Sequence, residues 1–169
     1  MYNLGVYWEE LARLEKAKEA YLECLNFAQV FEEKTKTVES RRILSVGYGK
    51  LGDIHKAEGK LEKAKELYLQ SLEIFKALAE ETKTAESRRD LSIIYNRLGD
   101  IYKAEGKLDE AKGMYLQFFE ISKAIAEETK TVESRRDLSI SYGKFGDIYK
   151  AEGKLEEAKK MYMQCFEIS

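Results

Sequence analysis

Leu91–Ser122 reads LSIIYNRLGDIYKAEGKLDEAKGMYLQFFEIS and contains two amphipathic helical patterns joined at one glycine. In the first pattern Leu91, Ile94, Tyr95, Leu98 and Tyr102 fall at i, i+3, i+4, i+7 and i+11. That is a single apolar stripe at the helical period. Gly106 ends it, because glycine takes the left-handed cap conformation without a Cβ penalty. In the second pattern Leu108, Ala111, Tyr115, Phe118, Phe119 and Ile125 keep the same spacing, and the helix runs to about Glu128. Thr129-Lys130-Thr131 then supplies a turn and a threonine N-cap for a following helix. Glu133 suits the positive end of that helix's dipole. Each helix is about 20 residues, or roughly 30 Å, and the short connector at Gly106 makes the two antiparallel neighbours.

Outward from this stretch, the chain repeats it. Leu44, Leu91 and Leu138 each open a segment beginning Leu-Ser, with steps of 91−44 = 47 and 138−91 = 47. Residues 44–90 and 91–137 align without gaps and agree at roughly two positions in three, which establishes a repeat architecture. A third copy runs over 138–169, and a partial fourth covers 1–43. In that N-terminal copy Leu4-Gly5, Ala17 and Tyr21 fall 47 residues before Leu51-Gly52, Ala64 and Tyr68, but Ala12 stands where the hinge glycine belongs. The whole of 1–169 therefore reads as one array, with no second domain and no linker.

Gly52, Gly99 and Gly146 sit in helix interiors, where glycine costs up to about 1 kcal/mol against alanine. Close approach of the partner helix explains that cost, with Ala64, Ala111 and Ala158 as the expected neighbours. The pattern Tyr95-x-x-Leu98-Gly99-x-x-Tyr102, followed by Gly106, Ala111 and Tyr115, resembles the tetratricopeptide repeat (TPR). The copies at Tyr48/Leu51/Gly52/His55/Gly59/Ala64/Tyr68 and Tyr142/Phe145/Gly146/Tyr149/Gly153/Ala158/Tyr162 match it too. The usual repeat is 34 residues and closes its second helix with proline. This chain has no proline, so nothing stops the second helix and both helices run longer. The resemblance implies an all-α, right-handed superhelical solenoid of antiparallel helix pairs.

Composition narrows the function. The net charge is −2, without the basic footprint that nucleic acid requires. No apolar run approaches the roughly 18 residues that span a membrane, and the first residues open directly into repeat pattern rather than a signal peptide. Cys24 and Cys165 hold equivalent places, 3 × 47 = 141 residues apart, with no CxxC and no nearby histidine. They read as small buried residues facing the partner helix. Free thiols fit a reducing compartment, and a cytoplasmic location is expected. His55 is the only histidine and replaces the tyrosine found at 102 and 149, so it builds no metal cluster. Acid pairs recur as Glu80-Glu81 and Glu127-Glu128, whereas a catalytic pair should be singular. No catalytic residue, cofactor site or metal site is expected.

The best functional candidate is the polar face of the first helix. Lys50-x-x-Asp53-x-x-Lys56 recurs as Arg97-x-x-Asp100-x-x-Lys103 and Lys144-x-x-Asp147-x-x-Lys150. A spacing of three puts these side chains on one face, either as solvated ion pairs or as a binding surface. Asn96 lies on the same face, with Gly49 and Gly143 at its place in the other full copies. In TPR arrays the first helices line a concave groove, so the resemblance implies a ladder of alternating charge along it. Clamps of this family that hold a peptide's terminal carboxylate use asparagine where Asp53, Asp100 and Asp147 stand here, and an acid repels such a ligand. A second series, Arg41-Arg42, Arg88-Arg89 and Arg135-Arg136, lies near helix starts, where the dipole disfavours cations. Its expected partners are Glu80-Glu81, Glu127-Glu128, Asp90 and Asp137 in ion pairs between repeats, or else an acidic ligand.

The expected function is non-catalytic: binding of a partner peptide or helix along that groove. The alternative is a self-associating scaffold. Solenoids generally carry polar capping repeats, whereas the last helix here presents Met161, Tyr162, Cys165, Phe166 and Ile168. The chain accordingly reads as a fragment of a longer array or as one that covers its end by homo-oligomerisation.

Overall fold

A computed structural model describes the backbone of residues 2–168 and the side chains of residues 13–168. The described residues form seven α-helices and no strand: α1 (Tyr2–Thr35), α2 (Val38–Ala57), α3 (Leu61–Thr82), α4 (Ala85–Ala104), α5 (Leu108–Thr129), α6 (Val132–Ala151) and α7 (Leu155–Ile168). Helices α2, α4 and α6 start at Val38, Ala85 and Val132, and 85−38 and 132−85 both give 47, the sequence period. The chain divides into two compact units, Met1–Leu78 and Ala79–Ser169.

Two kinds of joint separate the helices. The first follows α2, α4 and α6, where Gly59, Gly106 and Gly153 all have φ of +76°. After α4 the Gly106 N–H donates to the Lys103 carbonyl at 3.0 Å and the Lys107 N–H to the Tyr102 carbonyl at 2.9 Å. That pair of bonds is the Schellman motif, which satisfies carbonyls that a helix end otherwise orphans. The same bonds recur after α2 and α6. The second joint is Thr-Lys-Thr. Thr84 and Thr131 accept the N–H groups of Ser87 and Ser134 at 3.1 Å, and both serine hydroxyls return to the threonine carbonyls at 3.0 Å. Thr37 and Ser40 close a full capping box. Lys36, Lys83 and Lys130 sit in the left-handed region at φ of 51°, 54° and 53°.

The N-terminal copy departs from the others. The three-residue hinge Glu58-Gly59-Lys60 corresponds to Leu11-Ala12-Arg13, and the backbone there stays helical. An alanine in the left-handed region costs roughly 1–2 kcal/mol, and leucine, alanine and arginine are strong helix formers. The helix therefore runs on, and α1 is one helix of 34 residues instead of a pair.

Within the other copies the two helices of a pair meet at the interior glycine. The atoms nearest to it belong to a tyrosine. A Cβ on Gly52 would lie 2.5 Å from a ring carbon of Tyr68, and Gly99 and Gly146 meet Tyr115 and Tyr162 in the same way. Tyr68 and Tyr115 are fully buried. Ala64, Ala111 and Ala158 are buried as well. The glycine is thus a slot for a flat ring, and the residue that fills it lies 16 positions on (68−52).

In the unit Met1–Leu78, Leu51, Ile54, Ala64, Tyr68, Leu72 and Phe75 form the core together with Leu25 and Ala28 of α1. In the unit Ala79–Ser169, Ala111, Tyr115 and Ile148 are fully buried, and Tyr102 and Leu108 pack against them. Phe119 links successive pairs, edge-on to Tyr142 at 5.1 Å and to Phe145 at 5.8 Å.

Candidate partner-binding face

The polar face of the first helices is cross-linked by its own charges. On α4, Asp100 accepts the Tyr115 hydroxyl at 2.7 Å and the Lys144 ammonium at 2.6 Å. On α6, Asp147 accepts the Tyr162 hydroxyl at 2.8 Å and the Lys103 ammonium at 2.7 Å. Two reciprocal ion pairs therefore tie α4 to α6, and each carboxylate is also held from its own second helix. On α2, Asp53 accepts the Tyr68 hydroxyl at 2.8 Å. Sequence periodicity places the aspartates on one face. It does not reveal the tyrosine, because the two lie on different helices. The signal that could have found it is the constant offset of 15 residues, kept by Asp53–Tyr68, Asp100–Tyr115 and Asp147–Tyr162.

These contacts shift proton affinities. Burial, then the Asp100 hydrogen bond, pushes the Tyr115 phenol far above its ordinary range. Tyr162 moves the same way beside Asp147. Burial by itself would raise the Asp147 carboxyl, but the Lys103 and Tyr162 hydrogen bonds outweigh it and hold the group below its usual value. Asp147 thus stays ionised, and Tyr115 and Tyr162 stay protonated donors. Asp147 remains 43% exposed and Lys103 36% exposed, so the ladder is fixed but reachable from solvent.

Lys50 and Lys150, which open and close the motif, are exposed. Lys56 and Arg97 are half-buried and engaged. Asn96 turns its Oδ1 into a buried position without a hydrogen-bond partner. At the same place on α6, a Cβ on Gly143 would lie 4.0 Å from the Cys165 sulfur.

The arginine series is structural where the ion pairs are described. Arg88 pairs with Glu128. Arg89 reaches Asp137 at 2.6 Å and Glu133 at 3.0 Å, and Asp137 is what raises its proton affinity. Arg135 and Arg136 are exposed at the same register on α6. A third network, at the hinge, has no signature in the charge pattern of the sequence. Glu58 receives Lys18 and Lys60 at 2.8 Å each and His55 at 3.0 Å. Those hydrogen bonds, Lys18 first, hold its carboxyl down at about 2. Glu152 gathers Lys154 at 2.7 Å and Lys112 at 3.3 Å in the same place. An acid beside a helix C-terminus opposes the dipole, and the lysines offset it.

The cysteines differ from expectation. Cys165 is half-buried and bonds to Ser139, whose hydroxyl lies 2.9 Å from the Cys165 carbonyl and 3.2 Å from its sulfur. Cys24 is exposed rather than buried, because α1 never turns back to cover it. Both thiols are free. Among the described residues no group of three or more histidine, cysteine, aspartate or glutamate side chains is placed to hold a metal ion. Among the described residues no helix is long and apolar enough to cross a membrane.

Known proteins agree with this architecture. Two family models, both described as tetratricopeptide repeat, match residues 42–115 and 90–169 in one case and residues 1–30 in the other. The chain belongs to the tetratricopeptide repeat family. Among solved structures it is similar to BtubC from P. vanneervenii, at 21% identity and a TM-score of 0.53, covering 95% of this chain and 74% of that one. It is also similar to a putative kinesin light chain with nearly identical TPR-like repeats from Podosopora anserina, at 17% identity and a TM-score of 0.54, covering 98% and 92%. At such identities the likeness concerns the fold. No curated protein matches the chain.

Proposed function

We propose that the chain is a non-catalytic, cytoplasmic protein-interaction module whose first helices hold a segment of a partner protein. The observation that carries this reading is the ladder Lys103–Asp147 and Lys144–Asp100. It presents both signs of charge in alternation, and Tyr115 and Tyr162 fix its carboxylates in place. A surface organised before binding loses little side-chain entropy when a ligand arrives. Lysines and aspartates alternate, so the ligand class is an extended or helical segment carrying both charges. A terminal carboxylate is disfavoured, since it would meet Asp100 and Asp147.

Asp100 is a poor probe, because reversing its charge also strands the Tyr115 hydroxyl and Lys144. Lys150, one turn from Asp147 on α6, is better, being exposed. Peptides enriched from a random display library on the wild-type chain should lose affinity by about tenfold, roughly 1.4 kcal/mol, on a K150E variant that melts at the wild-type temperature. Equal affinity for that variant overturns the assignment of this face.

A further inference from the structure

We propose that the face of α1 left uncovered by its missing hinge receives residues 2–12 of a second copy of this chain, in a reciprocal antiparallel exchange. This surface is distinct from the partner-binding face.

Residues 14–35 of α1 correspond to α3, and residues 2–10 correspond to 49–57, the end of α2. In the complete pair, α3 turns Ala64, Tyr68 and Ser71 toward α2, and all three are fully buried. Tyr68 fills the slot at Gly52, the Ser45 hydroxyl donates to the Ser71 carbonyl at 2.9 Å, and the Ser71 hydroxyl donates to the Ser45 carbonyl at 3.0 Å. The counterparts on α1 are Ala17, Tyr21 and Cys24. Ala17 and Tyr21 are half-buried and Cys24 is exposed. The opposite side of α1 is not short of contacts, since Leu25 and Ala28 are buried against α2 as Leu72 and Phe75 are in their own copy. One face of α1 is therefore packed as a second helix should be, and the face that needs a first helix lacks one.

The chain carries the missing piece in its own sequence. Leu4, Gly5 and Tyr7 stand at the register of Leu51, Gly52 and Ile54, the buried side of α2. In α1 the straight backbone through Ala12 carries that segment away from Tyr21. A second copy can supply it. Gly52 opposes Tyr68, so by register Gly5 of one copy opposes Tyr21 of the other, and the two-fold axis passes near residue 13, midway between 5 and 21. Both faces are then covered by the same contact, as a closed isologous interface requires, and exchange of an identical element is a low-cost route to a dimer. Restoring a hinge should let each chain cover itself.

Two measurements test this. The first is light-scattering mass over a hundredfold concentration range, for the wild type and for L11E/A12G/R13K, which rebuilds the Glu-Gly-Lys hinge of the other copies. The expected result is a dimer for the wild type and a monomer of unchanged helicity for the variant. A wild type that stays monomeric throughout overturns the proposal, and so does a variant that dimerises as strongly as the wild type. The second uses a Tyr2→Cys, Cys165→Ser chain under mild oxidation. Gly143 approaches the Cys165 sulfur, and position 2 has the same relation to Cys24. Exchange gives a covalent dimer on a non-reducing gel. A disulfide formed only within one chain means that the helix folds back on itself, and overturns the exchange.

Discussion

A single glycine in each pair decides whether the two helices can touch. Gly99 leaves room for the Tyr115 ring, which is fully buried and has nowhere to move. Gly99→Ala gains about 1 kcal/mol of helix propensity but overpacks the slot, which typically costs about 1–3 kcal/mol. The net effect expected in urea denaturation is a loss. Gly113 is the control. It also lies inside a helix, yet a Cβ there meets nothing within 4 Å. Gly113→Ala should stabilise by about 0.5–1 kcal/mol. If both variants move stability the same way, the slot is not the reason for Gly99. The acidic end of the hinge makes a second prediction at this scale. Glu58 has its folded value at about 2, below the ordinary 4.5, because Lys18, Lys60 and His55 hold the ionised form. Its contribution is therefore complete above about pH 4.5 and fades as the pH falls toward 2. Glu58→Gln should lower stability at pH 7 and flatten the acid slope. Asp147 and Glu152 add slopes of the same sign. An unchanged slope in denaturation series from pH 7 to pH 3 would contradict the role of Glu58.

Helix lengths are set by their joints. Gly59, Gly106 and Gly153 stop the first helices because only glycine enters their backbone region without penalty. The second helices stop with no such help. Lys36, Lys83 and Lys130 occupy the left-handed region where glycine or asparagine is usual, and the following threonine caps hold them there. Lys130→Gly relieves that strain and leaves the Thr131 cap intact. Even after the entropy that glycine adds to the unfolded chain, a gain of about 0.5 kcal/mol is expected, read as a raised melting temperature. A drop would mean that the lysine side chain, not the backbone, supports the joint. The absence of proline foretold long second helices, and the structure gives 22 residues to α3 and α5. The straight α1 was harder to foresee. Ala12 was visible as a departure from the hinge, but whether a chain bends there depends on strain against packing.

At the scale of the molecule, stability in a repeat array is a sum over neighbours. The ladder between α4 and α6 is one such neighbour term, spanning 44 residues of sequence with each of its two ion pairs. Asp147→Asn strips the charge that Lys103 and Tyr162 share and should cost about 1–2 kcal/mol. The loss should be local, with faster amide exchange in α6 and α7 and little change in α5. Uniform acceleration across the unit Ala79–Ser169 would mean that the unit opens as one cooperative block. The division of the chain falls within α3, after Leu78, and the sequence carries no sign of it, because the repeat pattern runs through that point without a break.

Fold type, period, hinges and caps were all legible before any coordinates, for a common reason. Each depends on local chemistry: apolar spacing at the helical period, a glycine that can take a positive φ, a threonine that can cap. The family followed from the same residues. Tertiary structure alone decided what those residues touch. It put a tyrosine ring in the glycine slot, and it turned the charged face of α4 and α6 into a cross-linked ladder. It also left Cys24 exposed while Cys165, at the same register, packs against Ser139. Such facts depend on pairs of side chains brought together from different helices, and periodicity along one helix carries no information about which residue arrives from the next.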